Sequence, residues 1–183
     1  MRRDAVAELD FPVCARDHIL GADVAPMTIV QYGDYDTQSC GQAHLLLKAA
    51  LDDFGDNLRI VFRHFPFNAQ PIQARRAAEA GEAAAAQRRF WEMHEVLFKN
   101  QGRLSDRHLR LYATHVGLDM AWFNRDMAAQ TYTVRVREDF LSGIRSGVNE
   151  SPAFFINGWR YRGPLDVVSL RSAIKNDLIA VAI

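Results

Sequence analysis

Apolar and polar positions follow two rhythms along this chain of 183 residues, and the change of rhythm divides it into thirds. Met27-Thr-Ile-Val-Gln-Tyr32 is a β-branched and aromatic run between Pro26 and Gly33, which predicts a buried strand. From Cys40 to Phe54 the residues Ala43, Leu46, Leu47, Ala50, Leu51 and Phe54 recur at helical spacing, and Gly55-Asp56 closes the segment. Leu58 to Phe65 alternates in period two and stops at Pro66, completing a strand, helix, strand unit.

From about Pro71 to Ser146 the sequence turns alanine-rich and helix-favouring, broken near Asn100-Gln-Gly102 and Gly117. Four or five helices are predicted there, with N-caps at Ser105, Asp119 and Thr131. Ala83 to Ala86 reads as a close-packing helix face, and Phe90, Trp91 and Phe98 as the core of this block. After Gly147 the β rhythm returns in Ala153-Phe-Phe-Ile156 and Trp159-Arg-Tyr-Arg162. Between them Asn157-Gly158 signals a tight hairpin, whose two central residues need positive φ. A final amphipathic helix is expected from Asp166 to Val181, giving the order β-α-β, helices, β-β-α.

Composition narrows the function classes. With 49% hydrophobic residues and no low-complexity tract, the chain can bury a core as one domain, read as 1–183. Lys plus Arg equals Asp plus Glu at 22 each, so no global field draws it to nucleic acid or anionic lipid. No run approaches the roughly 18 apolar residues of a membrane span. MRRDAVAELDFPVC lacks an apolar signal core, so a cytoplasmic location is expected, or a periplasmic one if a leader has been removed.

Cys14 and Cys40 are the two cysteines, too far apart for a Cys-x-x-Cys motif. No two of the six histidines lie four residues apart, so no metal ligands are assigned from spacing. There is no phosphate-binding glycine motif, and no cofactor is expected on these grounds.

Three ordered stretches are similar to the bacterial DsbA-like thioredoxin family: Gln31-Tyr-Gly-Asp-Tyr-Asp-Thr-Gln-Ser-Cys-Gly-Gln-Ala-His44, Phe90-Trp-Glu-Met-His-Glu-Val-Leu-Phe98 and Gly147-Val-Asn-Glu-Ser-Pro-Ala-Phe-Phe-Ile-Asn-Gly158. The resemblance runs from about Asp17 to the C-terminus. It implies an α/β thioredoxin fold with a helical insertion: one half over 17–66, the insertion over 67–146 and the second half over 147–183. It also implies a thiol–disulfide oxidoreductase ancestry, a cis-proline loop at Ser151-Pro152, and a Cys-x-x-Cys turn. Aligning the flanks puts Thr37 at the first cysteine and Cys40 at the second, with Gln38 and Ser39 between them.

A threonine hydroxyl supplies neither a thiolate nor a disulfide partner, so dithiol exchange is not expected from Thr37 and Cys40. Thr37 is expected to cap the helix, its side-chain oxygen accepting an N–H near Gly41. Tyr35, Asp36, Gln38 and Ser39 are read as a polar lip beside the turn. Cys14, in Phe-Pro-Val-Cys-Ala, is read as buried and unpaired on an added strand.

Two functional readings follow. In one, a peptide or protein partner binds across Thr37, Cys40, Ser151 and Pro152, with Tyr35 and Asp36 beside them. In the other, Cys40 and Thr37 serve a single-thiol or glutathione-dependent enzyme. Thr37-Gln-Ser-Cys40 also spells the Thr-x-x-Cys of peroxiredoxins, and the hydroxyl at position 37 is comparable with the serine of kappa-class transferases. A homodimer is compatible with the sequence.

Overall fold

The computed structural model describes residues 7–67 and 71–181. Part of the N-terminal stretch read for an export signal therefore lies outside the described residues, as do 68–70 at the start of the expected insertion and the side chain of Val181.

Five strands form one mixed sheet in the order β1-β3-β2-β4-β5. Strand β2 (Met27–Gly33) lies parallel to β3 (Leu58–His64), and helix α1 (Gln38–Phe54) with a short 3-10 turn makes the crossover between them. Antiparallel partners flank this pair: β1 (His18–Gly21) on β3, and the hairpin of β4 (Ala153–Ile156) and β5 (Trp159–Tyr161) on β2. Asn157 and Gly158 take φ of 46° and 89°, the left-handed pair that the hairpin signal demands. The added strand is His18–Gly21; Cys14 precedes it in irregular chain and is half-buried, which corrects the expectation of a buried strand residue.

Period-two alternation gives the sheet two apolar faces. Met27, Ile29, Leu58, Ile60, Phe154 and Ile156 point toward α1 and the last helix, α7 (Val167–Val181). On the opposite face Val30, Tyr32, Val61, Phe65 and Phe155 pack against Val148 and Phe140, with Leu9 and Val13 closing the side.

The insertion contains five helices: α2 (Pro71–Ala86), α3 (Phe90–Lys99), α4 (Asp106–His115), α5 (Met120–Ala129) and α6 (Thr133–Arg145). Ala77, Ala80, Ala83 and Ala84 are buried on α2, where short side chains bring α3 close. Phe90 and Phe98 are buried beside them and Trp91 packs against the cluster, as the spacing anticipates. Asp119 caps α5 by accepting the Trp122 N–H at 2.8 Å, and Ser105 precedes α4. Thr131 caps no helix: Gln130 turns left-handed at φ 52° to end α5, and the chain needs Thr131 and Tyr132 before α6 can begin.

A buried ion pair ties the irregular N-terminal segment to the sheet. Arg63 and Asp17 side chains are each 1% exposed and meet through two hydrogen bonds of 2.8 and 2.9 Å. The remaining Arg63 donors reach the carbonyls of Phe11 and Pro12 and the Tyr32 hydroxyl, so the guanidinium is fully engaged.

Candidate functional site

Strand β2 ends at Gly33, and the next four residues turn the chain into α1, so the helix N-terminus sits at the carboxyl edge of the parallel pair. Thr37 is the N-cap residue, with extended backbone at φ −96° and ψ 117°. Its carbonyl accepts the N–H of Cys40 at 2.9 Å and of Gly41 at 3.4 Å. The side chain makes no capping bond, which corrects the expected cap; it instead faces the Asp34 carboxyl, where its hydroxyl favours the ionised form.

Cys40 is wholly buried, one turn into α1, where the helix presses against the sheet. Its Sγ accepts the Asp34 N–H at 3.4 Å. Burial pushes the thiol pKa up to about 12, against the weaker opposing pull of the Asp34 N–H and the Ser151 hydroxyl. A helix N-terminus ordinarily favours a thiolate. Here desolvation wins because no water reaches the sulfur.

Asp34 itself is buried, and desolvation raises its pKa although its carboxylate accepts the N–H groups of Asp36 (2.9 Å) and Phe67 (3.2 Å). Tyr35 does not belong to a surface lip. It is 1% exposed and its hydroxyl bonds His94 Nδ1 at 3.0 Å, with Phe62 and Phe98 against its ring. Gln38 is exposed, and Asp36, Thr37 and Ser39 are half-buried, so these four do border the turn.

The proline loop meets the turn from the other side. The Ser151-Pro152 peptide bond is cis, and the Ser39 hydroxyl donates to the Ser151 carbonyl at 3.4 Å. Thr37, Cys40, Ser151 and Pro152 are therefore brought together, and Tyr35 is withdrawn from the group. A groove of about 230 Å³ runs from Glu150 and Pro152 to Arg160 and Arg162 on the hairpin. The Arg160 guanidinium lies over the Phe155 ring, 5.3 Å from its centre.

Gln101, read from the sequence only as part of a helix break, is a central contact. Its Nε2 donates to the carbonyls of Tyr35 (3.0 Å) and Thr37 (2.8 Å), clamping the turn to the insertion. Gly41 leaves room for this, since a Cβ there would run into the Gln101 carboxamide. Beyond it, His44, Lys48 and Glu95 line a second groove of about 360 Å³ between α1 and α3. Nothing in local periodicity marks Gln101; only a contact 64 residues from Thr37 reveals it.

Among known proteins, the thioredoxin family model matches residues 14–176, and the chain belongs to the thioredoxin family. The fold, with five helices inserted between the two halves, is like that of solved DsbA proteins, among them alpha-DsbA1 of Wolbachia pipientis. BdbD of Bacillus subtilis, in its oxidised crystal structure, superposes with a TM-score of 0.85 at 23% identity, over 96% of this chain and 99% of that one. A thioredoxin-like oxidoreductase of Silicibacter pomeroyi gives 0.79 at 24% identity, over 90% and 93%. In sequence the chain is 39% identical over 172 residues to the Na(+)/H(+) antiporter NhaA 1 of Salinispora arenicola. That match covers 93% of this chain and 26% of the relative, so the chain spans about a quarter of the length of the curated relatives it matches. No helix among the described residues is long and apolar enough to cross a membrane.

Proposed function

We propose that this protein is a thioredoxin-family binding module whose turn no longer exchanges disulfides, and that it holds an extended peptide or partner segment across Thr37, Ser151 and Pro152. The observation that carries this reading is the pairing of a hydroxyl at the helix N-cap with a buried thiol. Thr37 stands where the resemblance puts the attacking cysteine, and Cys40 is wholly buried with its pKa at about 12. A thiol held protonated and out of contact with solvent attacks neither disulfide nor peroxide at neutral pH. The same burial weighs against the single-thiol and glutathione-dependent reading.

The groove beside Pro152 supplies a surface that needs no thiol, and Arg160 and Arg162 there favour a segment carrying acidic side chains. The kinship with part of an antiporter supports a further element of the proposal: the module works beside an ion-transporting membrane protein, from the cytoplasmic side. Two free cysteines fit a reducing compartment.

The test pairs two measurements on the intact protein. Insulin-reduction turnover is expected to be at background, with or without added glutathione. Iodoacetamide labelling of Cys40, in a Cys14→Ser background, is expected to require unfolding. Turnover above background, or rapid labelling of the native protein at pH 7, overturns the reading.

A further inference from the structure

We infer that His18, His64 and Glu82 form a binding site for a divalent transition-metal ion of the zinc class, where β1 and the end of β3 meet α2. His18 lies on edge strand β1, His64 ends β3 and Glu82 projects from α2, so three elements converge on one point. Glu82 Oε1 is 2.8 Å from His18 Nε2 and 3.0 Å from His64 Nε2, and the three atoms all lie within 4.8 Å of one another.

Two imidazoles and a carboxylate are a donor set that zinc accepts, leaving a fourth position for water. Metal–ligand bonds of about 2.0–2.1 Å at tetrahedral angles place donors roughly 3.3–3.4 Å apart. The two observed nitrogen–oxygen edges need to open by only about half an ångström to reach that spacing.

The rings are already held. His18 stacks on Phe90 with centroids 3.5 Å apart, and His64 is wedged edge-on between Phe62 and Phe90. Entry is from the His18 side, where 13% of the side chain is exposed against 1% for His64. On coordination the metal replaces the protons that the two Nε2 atoms share with Glu82, and each imidazole carries its proton on Nδ1.

Two features limit the affinity. Arg135 Nε lies 3.8 Å from Glu82 Oε1, although its charge is shared with Asp139. His64 Nδ1 has no hydrogen-bond partner among the described residues, whereas strong sites orient that proton with an acceptor. Loss of such a partner ordinarily costs about 10–100-fold in metal affinity, so this site binds more weakly than one whose Nδ1 proton is oriented.

The sequence hides the cluster because 46 and 18 residues separate its members, so no spacing rule reports it.

The experiment is calorimetric titration of the chelator-treated full chain, in the Cys14→Ser background, with zinc chloride, accompanied by visible spectra with cobalt chloride. One equivalent of zinc, a higher melting temperature and a four-coordinate cobalt spectrum are expected. Glu82→Gln and His18→Asn should each weaken binding at least tenfold, while His115→Asn, at an exposed histidine, should not. His18→Asn sits on the rim of the fold and keeps the test valid if Glu82→Gln does not fold. No saturable zinc binding by the native chain, or equal binding by His18→Asn, overturns the assignment.

Discussion

Gln101 Nε2 donates to the Thr37 carbonyl at 2.8 Å and thereby fastens the helical insertion to the turn that begins α1. The same amide holds the Tyr35 carbonyl. Gln101→Ala leaves both acceptors without this donor, and a cost of about 1–2 kcal/mol is expected from urea unfolding. The turn should also open more often, so native-state alkylation of Cys40 should accelerate. An unchanged labelling rate would show that the clamp does not guard the thiol.

Thr37→Cys restores a thiol at the N-cap, where backbone N–H groups favour the thiolate. The expected outcome is a gain: oxidation should form a disulfide between position 37 and Cys40, and insulin-reduction turnover should rise from background. Thr37→Ser serves as the control and should stay at background. Mass spectrometry after differential alkylation reads the first effect and turbidity the second.

The Asp17–Arg63 pair illustrates what spacing can and cannot reveal. Strands β2 to β5, the crossover helix and the Asn157-Gly158 hairpin were legible because their signals are local: alternation, helical return and positive φ at two adjacent residues, whereas the added strand was expected around Cys14 rather than at His18–Gly21. The insertion was legible as four or five helices for the same reason; five are present. Tyr35 was misread because it stands between Asp34 and Asp36, and only tertiary packing shows that α3 comes down over its ring and offers His94 to its hydroxyl. Thr37, suited by type to capping, turns to a buried carboxyl instead. Arg63 looked like the polar member of an alternating strand, yet it is one of the most buried side chains in the protein.

Removing its partner by Asp17→Ala strands a buried guanidinium, and a loss of about 3–5 kcal/mol is expected in chemical denaturation. A loss below 1 kcal/mol would mean that the carbonyls of Phe11 and Pro12 hold Arg63 without the carboxylate.

His94 sets a pH dependence. Its ring is fully enclosed, and burial first, then the charges of His44, His64, His18 and Lys48, hold its pKa well below the usual 6.5. In the unfolded chain it protonates near that usual value, so below it the unfolded state binds a proton that the folded state refuses. The stability associated with neutral His94 is therefore present above about pH 6.5 and declines as the pH falls toward the folded pKa. Urea midpoints at pH 7.5 and 5.5 should show the fall, and His94→Gln should make it shallower. A parallel slope in the variant would assign the effect to another group.

The two borders of the sheet limit how any partner can approach. On β1, the Ile19 carbonyl is taken by the Trp91 indole N–H at 3.0 Å. Along β5, Arg160 N–H donates to Ala7, Leu9 N–H to Gly158, and Glu8 bridges Trp159, so the N-terminal segment already runs beside that strand. The β5 margin is thereby covered, and on β1 one outward carbonyl is occupied, which reduces chance strand-to-strand association with other chains. With β5 already lined by the N-terminal segment, the peptide site proposed over Pro152 lies at the end of the strands, where orientation would be set by side-chain fit rather than by adding a strand beyond β5.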